Sequence, residues 1–239
     1  TRDHPYTPTI RFTEKTLPRL VDLRPNCPPI YQQGHLHSCT AQAIAGLVQY
    51  DMKKEGFQHP FRPSRLFIYY NTRQLEGKTD RDTGSKTRDA IKSIGRQGDC
   101  PENLWPYRIT KFSEKPPREC YRLAFKHKAL VYERLQQELS QFRTCLANGH
   151  PFTVGLQLFK GFEGHHMRRT GRGRFPRQGE KRAGWHAVLV VGYDQRDRRF
   201  MLRNSWGRDW GMHGYFTLPY AYLLDSDLSK DFWTIRIVS

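Results

Sequence analysis

The sequence predicts an α+β fold in two lobes, and three observations carry that prediction. Helix-periodic apolar stripes dominate the first half of the chain, strand-like apolar runs dominate the second, and the turn Asp194–Asp197 joins two of those runs into a hairpin. Helices followed by strands point to segregated α and β layers rather than alternating βαβ units. The chain has 239 residues, 37% hydrophobic and 13% aromatic, which is enough for one large domain or two closely packed lobes with a real core.

Residues 1–16 are polar and broken by Pro5 and Pro8, so they read as an extended arm lacking the apolar centre of a signal peptide. Leu17–Leu23 reads as a short edge strand ended by the turn formers RPNCPP. From Cys39 onward, Ala41, Ala45, Val48 and Met52, with Ile44 beside them, make one buried helical stripe. Ser38 is the expected N-cap of that helix and Gly56 its stop. A second helix is expected from Pro63 or Ser64 to about Gln74, and a third, capped by Ser85, ends at Gly98. Pro101, Pro106, Pro116 and Pro117 make residues 100–120 read as irregular. Leu135, Leu139, Phe142 and Leu146 predict one more helix, closed near Gly149. The strand runs are FTVGLQLF, HAVLVVGYD, RRFMLRN, GYFTL and FWTIRIV.

Charge and cysteines bound the function. Lys and Arg number 40 against 23 Asp and Glu, a formal charge of +17 that raises an anionic partner as a question. No apolar run approaches the roughly 18 residues that cross a bilayer. Five cysteines show neither a CxxC pair nor zinc-type Cys/His spacing, so no metal site is expected, and an odd count leaves at least one thiol unpaired. The remaining four fit thiols or bridges equally well.

Three residues form a candidate constellation. Cys39 opens its helix, where unpaired N–H groups and the helix dipole favour a thiolate, although taken alone it fits better as a small buried side chain. His186 stands at the mouth of the apolar strand AVLVVGY, placed to face a cleft. Asn204 ends the next strand, so the hairpin brings it beside His186, where its carbonyl can hold the imidazole in one tautomer.

Taken together, VDLRPNCPPIYQQG…SC, GWHAVLVVGYD and NSWGRDWGMHGYF resemble the papain family of cysteine peptidases, over about residues 17–238. The resemblance implies a papain-like fold with a helical left lobe, mainly 27–120, and a β-barrel-like right lobe, mainly 121–230 plus the N-terminal strand. The cleft would lie between the lobes. It implies Cys39 as nucleophile, His186 as acid and base, Asn204 as its orienter and Gln33 as oxyanion donor. Trp206 would shield the histidine–asparagine bond and Trp210 would line the leaving-group side. Ser38, His37, Gly84, Gly155, Leu156 and Trp185 would touch substrate.

The implied activity is endopeptidase hydrolysis of protein or peptide substrates by a monomer needing no cofactor, with an extracytoplasmic setting. An exopeptidase or acyl transferase with the same triad, or a basic polyanion-binding module on this scaffold, are the alternatives. Departures from the family pattern mark an atypical, microbial branch. Leu36 replaces a cysteine that normally forms a disulfide, His37 replaces a glycine, Thr40 replaces an aromatic residue, and the loop that pairs with substrate shrinks to DTGS. The arm 1–16 is expected to be a propeptide remnant lying over the cleft. The segment 165–182, with Arg168, Arg169, Arg172 and Arg174, is expected to be a loop offering an anion site for a polyanion or nucleotide.

Overall fold

A computed structural model describes residues 3–127 and 130–237, so Thr1 and Arg2 of the arm and Val238 of the last predicted strand lie outside the described residues. The chain starts with β1 (His4–Pro5) and β2 (Leu20–Asp22), then α1 (Cys39–Lys54), α2 (Arg65–Leu75) and α3 (Thr87–Gln97). Next come α4 (Arg118–Ala124), β3 (Leu130–Arg134), α5 (Leu139–Ala147), β4 (Phe152–Phe159) and α6 (His165–Thr170). The long strand β5 (Arg182–Asp194) leads into β6 (Arg199–Arg203), β7 (Tyr215–Pro219), α7 (Tyr220–Leu224) and β8 (Ser229–Ile237).

The strands form one eight-stranded mixed sheet in the order β1-β3-β8-β4-β5-β6-β7, with β2 pairing to β5 off that path. Among the described residues the sheet is open, so the expected barrel-like lobe is a barrel in neither pairing nor closure. Side chains alternate across a strand, and in β5 this serves two cores at once. Val188 and Val190 enter the core shared with α5 and β4, whereas Leu189 and Val191 enter the core built on α1 and α2. Trp233 and Ile235 of β8 also pack into the helical core. The two lobes therefore meet across the sheet, and α1 lies against it with Cys39 at its N-terminus.

Local details differ from the sequence reading in instructive ways. Ser38 precedes α1 but does not cap it with its side chain; the hydroxyl bonds Tyr107 Oη at 2.6 Å and accepts from Gln42 Nε2 at 3.0 Å. Ser64 does cap α2, accepting from the Phe67 N–H, but α3 starts after Lys86 rather than Ser85. Leu135 continues a ladder, its N–H donating to Phe232 O at 3.0 Å, so α5 begins only at Leu139. The prolines near 117 precede a helix, α4, instead of excluding one. The first residues of the basic segment 165–182 are helical, in α6.

The described part of the arm is docked, with only His4–Pro5 as strand. β1 pairs in parallel with β3, Ile10 exchanges bonds with Asn148, and Glu14 meets Arg143 at 3.0 Å. These partners lie on β3 and on α5 with its C-cap, and Asp3 pairs with Arg88 of α3 at 3.0 Å, so the bonds that hold residues 3–16 are made to the scaffold around the sheet.

Candidate active site

α1 brings Cys39 to the sheet where β5 brings His186. The thiol is half-buried and its side chain is hydrogen-bonded to His186. Burial on its own pushes the Cys39 thiol up, but the His186 hydrogen bond and charge, with the backbone N–H groups of Ala187 and Thr40, outweigh it and hold the thiol below its ordinary range. The other face of the imidazole is fixed too. His186 Nε2 donates to Asn204 Oδ1 at 2.8 Å, which leaves Nδ1 for the sulfur. Asn204 Oδ1 also accepts from the Ser205 N–H at 2.8 Å, so the carbonyl end of the amide faces the ring.

An aromatic wall covers this bond. Trp206 lies 4.8 Å from the His186 ring at 34°, and Trp210 meets Trp206 edge-on at 5.2 Å. Phe162 closes the back of the wall against both tryptophans. Beside it, a groove of about 510 Å³ is lined by Gln32, Gly34, Glu163, Arg168, Trp206 and Trp210.

Gln33 is buried and doubly anchored. Its Oε1 accepts from Ser205 Oγ at 2.7 Å and its Nε2 donates to Leu36 O at 3.0 Å. An amide nitrogen carries two hydrogens, so one Gln33 N–H is left beyond the Leu36 bond.

Other expected substrate contacts divide. His37 is exposed, and Gly84 sits at φ +73° with an added Cβ only 3.7 Å from His37 O. Trp185 is exposed under the Lys230 ammonium, 3.6 Å from the ring centroid, and borders Gly155. Ser38 and Leu156, in contrast, are wholly buried, the first in hydrogen bonds and the second in the β-side core, so neither side chain reaches substrate. Sequence reasoning missed Ser205, Tyr107, Tyr69 and Asp82. The adjacency of Ser205 to Asn204 was a usable signal; no sequence feature announces the other three.

The arginines do not form one cluster. Arg174 pairs with Glu180 at 2.8 Å and Arg172 with Asp197 at 3.4 Å, while Arg168 turns to the groove beside Trp206. Arg172 and Arg174 line a separate cavity of about 470 Å³ with His165, His166 and Glu180. Among the described residues no group of three His, Cys, Asp or Glu side chains is arranged to hold a metal ion, and no helix is long and apolar enough to cross a membrane.

An α+β scaffold that presents a lowered thiol to an amide-oriented imidazole defines the class of thiol hydrolases. The model of the papain family cysteine proteases matches residues 17–223, and the chain belongs to that family. It is 37% identical over 248 residues, covering 97% of this chain and 80% of the other, to an uncharacterized peptidase C1-like protein, L477, of Acanthamoeba polyphaga mimivirus. Among solved structures it is similar to xylellain, a cysteine protease from Xylella fastidiosa, with TM-score 0.91 and 38% identity over 99% of this chain and 92% of that one. A digestive procathepsin L 3 of Tenebrio molitor shares the fold, with TM-score 0.76 at 20% identity over 98% of this chain and 74% of that one. The protein is therefore a papain-like cysteine protease.

Proposed function

We propose that this protease is an endopeptidase working through Cys39, His186 and Asn204. The 2.8 Å bond from His186 Nε2 to Asn204 Oδ1, with the Cys39 side chain bonded to the same ring, is the observation that carries the reading. Proton transfer from Cys39 to His186 gives a thiolate–imidazolium pair, steadied by the start of α1. The thiolate attacks a peptide carbonyl. The developing oxyanion is met by the free N–H of Gln33 Nε2 and the backbone N–H of Cys39. His186 then protonates the departing amine, the thioester forms, and water attacking with His186 as base releases the acid and regenerates the thiol. The wall of Trp206 and Trp210 keeps water from competing for the histidine–asparagine bond, which is stronger in a dry site.

The groove beside Trp206 gives room for residues beyond the cleaved bond. That room supports cleavage of internal bonds. The test is cleavage of peptides blocked at both ends, compared with unblocked ones, together with labelling of Cys39 by a peptidyl epoxide. Cleavage of blocked peptides and labelling that Cys39→Ala abolishes are expected; a strict need for a free terminus overturns the endopeptidase assignment. Gln33→Ala is expected to lower kcat by a factor on the order of 100–1000 while leaving epoxide labelling detectable, the usual loss for one oxyanion donor.

A further inference from the structure

Around the nucleophile the chain departs from the pattern the resemblance implies at Leu36, His37 and Thr40, and the loop expected to pair with substrate reads DTGS. The structure joins these departures. The Asp82 carboxylate accepts from the His37 backbone N–H at 3.0 and 3.2 Å and lies 2.8 Å from the His37 ring Nδ1. The Tyr69 hydroxyl donates to Asp82 Oδ1 at 2.5 Å and accepts from the Gly84 N–H at 3.3 Å. Next along, Thr40 Oγ1 donates to Ser85 O at 2.9 Å. The loop is held from behind as well. Arg73, wholly buried at the end of α2, donates to Thr79 O and Arg81 O, each at 2.8 Å, and its guanidinium lies over the Tyr69 ring at 4.0 Å.

We propose that Asp82 is a positioning residue: through His37 and Tyr69 it clamps the segment before Cys39 to the loop carrying Gly84, without a covalent link. Three features support this. The bonds run between segments 45 residues apart, so they fix tertiary spacing rather than local shape. Hydrogen bonds to a carboxylate are the strong, short class. The burial that raises the Asp82 carboxyl is outweighed by the bonds from Tyr69 and His37, so it stays ionised and keeps accepting. The two backbone segments it joins come close together, a Cβ on Gly84 lying 3.7 Å from His37 O, so they form one wall two residues before Cys39. A substrate pairing with that wall meets it preformed, and the ordering cost is removed from binding.

The inference rests on the reading of Cys39 as nucleophile, and its test separates the two. Asp82→Ala is compared with the unaltered enzyme in three measurements: KM and kcat on a blocked tetrapeptide, the rate of Cys39 alkylation by iodoacetamide, and amide hydrogen exchange at residues 37 and 82–85. The clamp predicts a KM raised roughly tenfold with kcat changed much less, alkylation within about twofold, and faster exchange in both segments. Unchanged KM and exchange overturn it, as does a loss of alkylation equal to the loss of kcat/KM, which would place Asp82 in the thiol's own machinery. Should Asp82→Ala fail to fold, Tyr69→Phe removes the hydroxyl that bridges Asp82 to Gly84 and leaves the Asp82–His37 bonds in place. It is expected to raise KM by a smaller factor and to speed exchange at residue 84; no change in either overturns the clamp. If the unaltered enzyme neither cleaves the peptide nor reacts with iodoacetamide, the nucleophile assignment fails, and hydrogen exchange alone still decides whether Asp82 joins the segments.

Discussion

At the scale of single residues, the thiol of Cys39 is the balance of opposed effects. Taking a charge into a half-buried position disfavours the thiolate, while the His186 ring and two backbone N–H groups favour it, and the second set wins. An ordinary cysteine titrates near 8.5, so below that pH a free thiol loses its nucleophilic form progressively. A group with a depressed pKa stays ionised down to its lowered value. Alkylation of Cys39 by iodoacetamide is thus expected to hold its rate as pH falls through 8 and 7, where a model thiol slows about tenfold per unit. A rate profile that tracks the model thiol sinks the thiolate–imidazolium pair. In Asn204→Ala the imidazole loses its orienting acceptor, and the plateau is expected to shrink at its acid end. Asp82 obeys the same sign: facing His37, Tyr69 and Arg73, its carboxyl is depressed, so its contribution to stability is present above the unfolded value of about 3.9 and is lost only as pH falls through the lower folded value.

At the scale of elements, the antiparallel pairing of β2 with β5 depends on one missing side chain. A Cβ on Gly192 would sit 2.3 Å from Val21 O, beside the bond from Leu23 N–H to Val191 O at 2.8 Å, and on its other edge β5 shifts register against β6 between Val190 and Gly192. Backbone cannot retreat there without breaking pairs on both strands. Gly192→Ala is therefore expected to cost about 1–3 kcal/mol by urea denaturation, the usual price of overpacking; a neutral result removes the argument. Elements of this kind show what the sequence could and could not disclose. The strands of the hairpin were legible because β5 and β6 are buried apolar runs, and the hairpin itself places Asn204 beside His186. The helix of Cys39 was legible from its apolar stripe. Leu135 misled because its spacing to Leu139 and Phe142 matches a helical period while its N–H belongs to a strand ladder with Phe232. Ser38 misled because a residue at a helix start can bond sideways, to Tyr107, instead of capping. Asp82 was invisible because its value comes from a partner 45 residues away, and no local pattern encodes that distance.

At the scale of the whole molecule, a chain with a formal charge of +17 holds two cores together across one sheet with all five cysteines as thiols. Self-repulsion at that charge works against compactness, so what replaces covalent ties matters. Cys27 and Cys145 are embedded separately, bonding Leu23 O and His150 O, and Cys39 is committed to His186. The remaining pair, Cys100 and Cys120, is buried in the helical core with the two sulfurs in contact, and burial pushes both thiols up, which suppresses the thiolate needed to form a bridge. Stability should then be indifferent to reductant. A native disulfide typically contributes about 2–5 kcal/mol, and in a chain of this size each kcal/mol moves the melting temperature by roughly 2–4 °C. Thermal melts with and without millimolar dithiothreitol are expected to agree within about 1 °C. A fall of about 5 °C or more on reduction would mean that a bridge exists, with Cys100 and Cys120 as its first suspects.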